Sequence, residues 1–435
     1  MVWRVLFTPA IILLIFSSLN PSVLTNSQAR IQYHLNRSIA SSNLNPRQGE
    51  ANIFTGCSDP SSDIYQRDLL KSIDEPKFVD VSEASEFMQD EFPIMGVYVN
   101  GEIRGYPINI LNHHEVVNDY SRDINLGITY CPLTGSAVSY DLAELGGEIG
   151  VTGILLDSNL VFYDRSSNSC FSQLLNQGIS GDKSGLQLYP TPSIETTWKT
   201  WKKLFPESLV LGMDTGYNFD SLYRRNFYES YAKEDSIFFG QPIYDWEPYN
   251  LYSTKLKTLI LQSNDQTHLF PFDELNKSLI VNTKIGETAV SIFYDYEHLL
   301  AIPYVARNTD NTTLNFEVVE DRSDLSIDRT YGLNVFQDQF GEIWNMRGMS
   351  VNSAGRDQNL DVFPGFTAYW YAAILFYPTA SIFTINEIKT YNIVPEGHIL
   401  ENPQGSYIFG LIFLGSIVLL FTLTIIYARR TKISK

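Results

Sequence analysis

From Asp80 onward the chain alternates short apolar runs with turn residues, the pattern of a strand-rich fold. Met95 to Val99, then Asn100-Gly101, then Glu102 to Tyr106 predicts a hairpin with a tight turn. Further short strands are expected at Gly127 to Cys131, Ala137 to Tyr140 and Leu160 to Tyr163. One segment breaks the alternation. Thr196 to Pro206 has a threonine cap, helical apolar spacing and a proline stop, so a short amphipathic helix is expected, with Trp198 and Trp201 in the core. Residues 30–79, rich in Ser, Asn and Gln with little periodicity, predict a loosely ordered leader.

The pattern also repeats. Tyr106-Pro107-Ile108-Asn109-Ile110-Leu111-Asn112 followed by Val116-Val117-Asn118 has a counterpart in Phe270 to Asn276 followed by Leu279 to Asn282. Val161 to Asp164 answers to Val335 to Asp338, and Trp198 and Pro206 answer to Trp370 and Pro378. Order is kept while the spacing drifts, as in a duplicated domain with small insertions. Two related halves follow: residues 80–215 carry a His/Cys motif, and 250–390 form a degenerate second copy. A Tyr-rich linker over 216–249 joins them. Where the first half has His113, His114 and Glu115, the second has Lys277, Ser278 and Leu279, so a reactive site is expected in the first half.

Both ends are apolar. Residues 1–29 carry Arg4, an apolar run from Val5 to Phe16 and Ser27-Gln28-Ala29, the form of a secretory signal peptide; an uncleaved signal anchor is the rival reading. Tyr407 to Tyr427 is 21 residues without a charge, followed by Arg429, Arg430 and Lys432. That predicts a transmembrane helix over 407–427 with the tail 428–435 in the cytoplasm, after a stalk at 391–406. The basic stop argues against a GPI signal. A single-pass protein of the cell membrane with its bulk outside is the expectation.

Composition sharpens this picture. The formal net charge is −18, and 44% of residues are hydrophobic, which excludes a disordered chain and argues against a nucleic-acid binder. Setting aside Arg4, Arg429, Arg430, Lys432 and Lys435 leaves 26 basic against 49 acidic residues, or −23, in residues 30–405. Sequons at Asn36, Asn276 and Asn311 suit an exported chain. Three cysteines, Cys57, Cys131 and Cys170, allow one bridge and leave one thiol over.

Candidate chemistry concentrates at Asn112-His113-His114-Glu115-Val116-Val117-Asn118-Asp119 and Tyr130-Cys131-Pro132-Leu133-Thr134-Gly135-Ser136. Imidazole, thiol and carboxylate side chains bind transition metals, so His114, Cys131, Glu115 and Asp119 are candidate ligands for copper or zinc. A second reading makes Cys131 a nucleophile with His114 as its base. In a third, His114 and Cys131 are simply core, and the protein is a structural or adhesive surface protein. The turn after Cys131 offers backbone amides to an anion, or is a plain turn. Ser158 to Arg165 and Phe171-Ser172-Gln173 form a third cluster, in which Asp164 and Arg165 either line a polar pocket or form a strand-end ion pair.

These motifs, in this order through Thr196-Thr197-Trp198 and Asp214-Thr215-Gly216, resemble the domain-of-unknown-function 3179 family over roughly residues 80 to 390. The resemblance implies a prokaryotic protein, often exported or membrane-anchored, with no established reaction. It ranks His114, Glu115 and Cys131 above His113. Many members have a second cysteine where this chain has Thr134, and Trp where it has Phe171, and the resemblance leaves Cys170 incidental or a partner for Cys57.

The combined expectation is an α+β, strand-rich ectodomain of two related halves plus one C-terminal transmembrane helix. It would bind a transition metal or a small ligand through the first half, with an envelope partner or small ligand unidentified. The pocket candidates are Tyr130, Ser136, Asn159, Asp164, Arg165 and Gln173. A thiol-dependent envelope enzyme is the alternative.

Overall fold

The computed structural model describes residues 67–99, 101–121, 123–238, 246–263, 266–352 and 358–390. After β1 (Phe78–Val79), β2 (Pro93–Val99) and β3 (Glu102–Pro107) form the expected hairpin, closed at Val99 and Glu102. Gly101 turns it at φ +79°, a conformation that glycine adopts without strain. Pro107 lacks the N–H a longer ladder needs, so β3 stops there and the single turn α1 (Ile108–Leu111) begins. A meander of β4 (Val116–Ser121), β5 (Ile124–Cys131) and β6 (Ser136–Asp141) follows. Next, β7 (Ile149–Leu156), β8 (Asn159–Asp164), β9 (Cys170–Ser172) and β10 (Gln177–Ser180) make a four-stranded antiparallel sheet.

Strand β11 (Ser193–Thr197) runs into α2 (Trp198–Leu204), and β12 (Leu209–Leu211) returns beside β3. The Thr197 hydroxyl caps α2 by accepting the Thr200 N–H, and both tryptophans are fully buried. The Trp201 ring packs against Gly96 and Gly105, which face each other across β2 and β3; a side chain at Gly96 would collide with it. Glycine at both positions is what lets the helix sit down on the sheet.

The second half runs β13 (Lys257–Ser263), β14 (Gln266–Pro271), α3 (Phe272–Ser278), then the meander β15 (Ile280–Ile285), β16 (Thr288–Asp295) and β17 (Leu300–Val305). Three short strands follow, β18 (Phe316–Val318), β19 (Val335–Asp338) and β20 (Ile343–Asn345). The chain ends with β21 (Gly365–Tyr369), α4 (Trp370–Phe376), β22 (Ser381–Phe383) and β23 (Ile388–Thr390). The order β21-β13-β14-β22 has the same sequence of antiparallel, antiparallel and parallel pairings as β11-β2-β3-β12.

The two halves share their interiors. One large core joins Val138, Phe162 and Phe171 of the first half to Trp370, Tyr371 and Phe376 of the second. Another joins Trp198 and Trp201 to Phe293, Tyr304 and Trp344. An eight-stranded sheet, β23-β22-β14-β13-β21-β6-β5-β4, crosses between the halves where Ala137 meets Thr367.

The expected fold class is corrected in one respect. The strand-rich fold is present, but no helix among the described residues is long and apolar enough to cross a membrane, and the longest have seven residues. The segment 407–427 lies outside the described residues, as do 1–29, 391–406, 428–435, Asn36 and Cys57. The leader is shorter than expected: Ile73 is fully buried and bridges to Val117 of β4, so the residues just before Asp80 belong to the fold. Asn276 and Asn311 are both exposed.

Candidate functional site

The hairpin between β5 and β6 closes where Cys131 faces Ser136, and residues 132–135 make its turn. Gly135 has φ +55°, and the Tyr369 ring occupies the place a side chain there would take. Beneath the turn lies a polar network with no exposed surface. The Asn159 amide donates to Gln173 Oε1 (2.7 Å), Thr134 Oγ1 (3.0 Å) and Ser136 Oγ (3.2 Å). Gln173 Nε2 donates to Thr129 Oγ1 (3.0 Å) and the Ser136 carbonyl (3.2 Å), and Leu174 N–H donates to Asn159 Oδ1 (3.0 Å). Ser136, Asn159 and Gln173, expected to line a pocket, do converge, but on one another. They brace the Cys131 turn and leave little hydrogen-bonding capacity for a ligand.

Asp164 and Arg165 sit at the far end of β8. Burial works against the Asp164 carboxylate, but hydrogen bonds from Lys183 Nζ (2.7 Å), Ser167 and Ser166 outweigh it and hold its pKa below the ordinary value. Arg165 pairs with Asp74 (2.9 Å) and Glu148 (2.6 Å). Asp119 accepts from Arg104 Nη1 (2.8 Å) and the Tyr106 hydroxyl (2.7 Å). A cavity of about 320 Å³ opens beside Asp74, Asp119 and Glu148, all three paired with arginine.

His114 is fully buried, and both ring nitrogens have protein partners. Nδ1–H donates to the Lys71 carbonyl (2.6 Å), and Nε2 accepts from the Tyr223 hydroxyl, which itself bonds Thr215 Oγ1 (2.7 Å). Burial pulls its pKa down to about 4, so the ring is neutral. Cys131 is the free cysteine among the described residues, and Cys170 is disulfide-bonded. The Cys131 thiol, 1% exposed, donates to the Ser158 carbonyl at 3.4 Å. Burial, reinforced by Glu115, pushes its pKa up to about 11. Among the described residues no group of three His, Cys, Asp or Glu side chains could hold a metal ion. His114 and Cys131 belong to separate hydrogen-bonded clusters, because Glu115 between β4 and α1 has φ +57° and breaks the ladder before the two could face each other.

That kink turns Glu115 towards Cys131 and Tyr228, on both of which its charge acts. Glu115 keeps part of its surface, yet burial pushes its carboxyl up to about 8. Around Cys131 stand Tyr130, Tyr228, Tyr231, Tyr369 and Tyr371, and Tyr228 also neighbours Glu115. The hydroxyls of Tyr231 and Tyr371 both donate to the Leu133 carbonyl at 3.0 Å. Tyr130 was expected from the sequence. Tyr228 and Tyr231 come from the segment read as a linker, where the tyrosine density after Tyr217 was a signal, while Tyr369 of β21 and Tyr371 of α4 carried none.

Residues 217–238 form a strap over the whole motif. Tyr217, Phe219 and Tyr223 cover the histidines, while Tyr228 and Tyr231 cover Cys131. Lys255 staples the strap: Nζ donates to the carbonyls of Tyr231 (3.1 Å), Glu234 (3.0 Å) and Ser236 (2.7 Å) and lies 3.5 Å from the Tyr231 ring centroid. Lys255→Met is expected to raise amide hydrogen exchange over 229–236 by about tenfold or more, while exchange in β13 stays unchanged. Equal protection in both proteins would show that Lys255 does not hold the strap.

A sequence model described as a protein of unknown function, DUF3179, matches residues 67–380. The chain belongs to the DUF3179 family. No curated protein and no solved structure matches it. In this DUF3179 member the residues carrying the family motif divide into two groups. Ser136, Asn159 and Gln173 support the Cys131 turn, whereas Glu115 and Cys131 face the tyrosines.

Proposed function

We propose that this DUF3179 protein binds a small uncharged ligand at Glu115 and Cys131, between the tyrosines of the strap and those of the second half. The observation that carries this reading is the left-handed turn at Glu115, which sets its carboxyl beside Cys131 and Tyr228 at a position that keeps some accessible surface, with burial pushing the carboxyl pKa up. A protonated carboxyl donates and accepts hydrogen bonds without adding charge, and tyrosine faces pack on planar groups. Such a site favours a neutral, hydroxylated, planar molecule over an ion. The Cys131 thiol supplies polarisable packing and a weak donor. With its pKa near 11 and no imidazole beside it, nothing supports a nucleophilic role. The disulfide at Cys170 favours a location outside the cytoplasm.

The test is calorimetric titration of the full chain with benzyl alcohol, a planar alcohol that stays uncharged throughout, well below and well above pH 8. Binding is expected at the lower pH, weakening by about tenfold or more once Glu115 ionises, and lost in Tyr228→Leu. No binding, or affinity indifferent to both pH and Tyr228→Leu, would contradict the reading.

A further inference from the structure

Cys131 and the rings packed round it are closed off: Cys131, Tyr130, Tyr231, Tyr369 and Tyr371 each expose 6% of their surface or less. A molecule the size of an aromatic ring reaches Cys131 only when a covering element moves. Tyr130 and Tyr369 stand on strands of the eight-stranded sheet, and Tyr371 on α4, which is buried along its whole length. Tyr231 stands on the strap, whose two ends are held in different ways.

The front of the strap, residues 217–224, is built into the body. Tyr223 has no exposed surface, its carbonyl accepts from Asn109 Nδ2, its hydroxyl bonds Thr215 Oγ1 (2.7 Å), and Arg224 Nη1 donates to the Glu86 carbonyl (3.0 Å). The back, residues 228–238, is a single layer in which Tyr231 is the one buried residue. Its five-residue helix, Glu229–Lys233, is too short to be stable alone and starts at Tyr228 without a side-chain cap. Between front and back, residues 225–227 meet the body through a long hydrogen bond, Asn112 Nδ2 to Asn226 Oδ1 at 3.4 Å, and through Phe227, which is 48% exposed.

The back is fastened by Tyr231, whose hydroxyl donates to the Leu133 carbonyl, by Ser158 Oγ, which donates to the Phe238 carbonyl, and by Lys255. Lys255 is itself fixed, since the Tyr371 N–H donates to the Thr254 carbonyl (3.2 Å) and the Trp370 N–H to the Leu256 carbonyl (2.8 Å). Its three N–H groups all go to the back of the strap, to the carbonyls of Tyr231, Glu234 and Ser236. The rings of Tyr231 and Tyr369, 3.5 and 5.7 Å away at their centroids, complete a cage for an ammonium.

We propose that residues 228–238 are a lid over Glu115 and Cys131, latched by Lys255 and swinging about 225–227 while the rest of the fold stays closed. Releasing the one ammonium frees three carbonyls together. Tyr231 then leaves the Leu133 carbonyl and bares Cys131, while Tyr130, Tyr369 and Tyr371 remain as the opposite wall. That the lid admits a ligand rests on the function proposed above; that it opens does not.

The test follows alkylation of Cys131 by iodoacetamide in the full chain at neutral pH, with urea kept below the unfolding transition. In the parent the slow rate should be nearly independent of urea, because opening a lid exposes little surface, whereas reaction through global unfolding climbs steeply with urea. Lys255→Met should raise the rate at least about tenfold and leave amide exchange in β5 unchanged. Loss of a positive charge does not stabilise a thiolate, so the faster reaction reports access. In Lys255→Ala, propylammonium, which matches the atoms removed, should refill the cage and slow the reaction again without affecting the parent. If these effects appear but benzyl alcohol fails to protect Cys131, the lid stands and the ligand reading falls. A parent rate that tracks global unfolding, or a rate unchanged in Lys255→Met, would overturn the lid.

Discussion

Asn159→Ala is expected to lower the unfolding free energy by roughly 3–5 kcal/mol. Asn159 has no exposed surface, and its carboxamide is the hub under the Cys131 turn. Removing it leaves the Leu174 N–H without its acceptor and takes the common donor from Thr134, Ser136 and Gln173, all in a site that water does not reach. The alanine also leaves a void that the surrounding strands β5, β6 and β8 cannot close without breaking their ladders. Asn276→Ala, at an exposed position on α3, should change stability by no more than about 0.5 kcal/mol. Denaturant unfolding of the three proteins measures both values. A change below about 1 kcal/mol for Asn159→Ala would mean that the network is not the support described above.

The second large effect concerns the thiol. Cys131 in the folded protein is expected to react with iodoacetamide at neutral pH at least about a hundredfold more slowly than an ordinary cysteine. The reason is twofold. A pKa near 11, about two units above the ordinary value of 9.0, lowers the thiolate fraction by roughly a hundredfold, and 1% exposure hinders approach. Burial is the larger cause and Glu115 the smaller, so Glu115→Gln should accelerate the reaction only modestly. Unfolding in denaturant should restore the ordinary rate. Rapid alkylation of the folded protein at neutral pH would instead demand a stabilised thiolate and reinstate the nucleophile.

Local elements were legible in the sequence wherever neighbouring residues decide the conformation. The turn at Gly101, the Thr197 cap and the buried pair Trp198 and Trp201 all follow from residues a few positions apart. What could not be read depends on distant partners. Ser136, Asn159 and Gln173 suggest a ligand pocket because a polar residue on a strand carries no mark of whether it meets a ligand or another buried side chain. His114 suggests a ligand or a base because its partners, Lys71 and Tyr223, come from far away in the sequence. The register of β4 and β5, continued, would have brought His114 to Cys131, and only the left-handed backbone at Glu115 prevents it. Nothing in the side chain of a glutamate announces that conformation. Ala137 pairing with Thr367 is likewise a contact between the halves that neither half encodes alone.

Ligand binding at Glu115 and Cys131 requires a neutral Glu115 carboxyl, and carbon-13 NMR titration of the labelled side chain measures that directly. Its midpoint is predicted at about 8, with burial as the cause. Because the folded-state value is raised, the stability Glu115 contributes is fully present below its ordinary value of 4.5 and is lost as pH rises through about 8. The unfolding free energy of the parent relative to Glu115→Gln should therefore fall across that window. A Glu115 midpoint in the ordinary carboxylate range, with no such fall, would contradict the site as described.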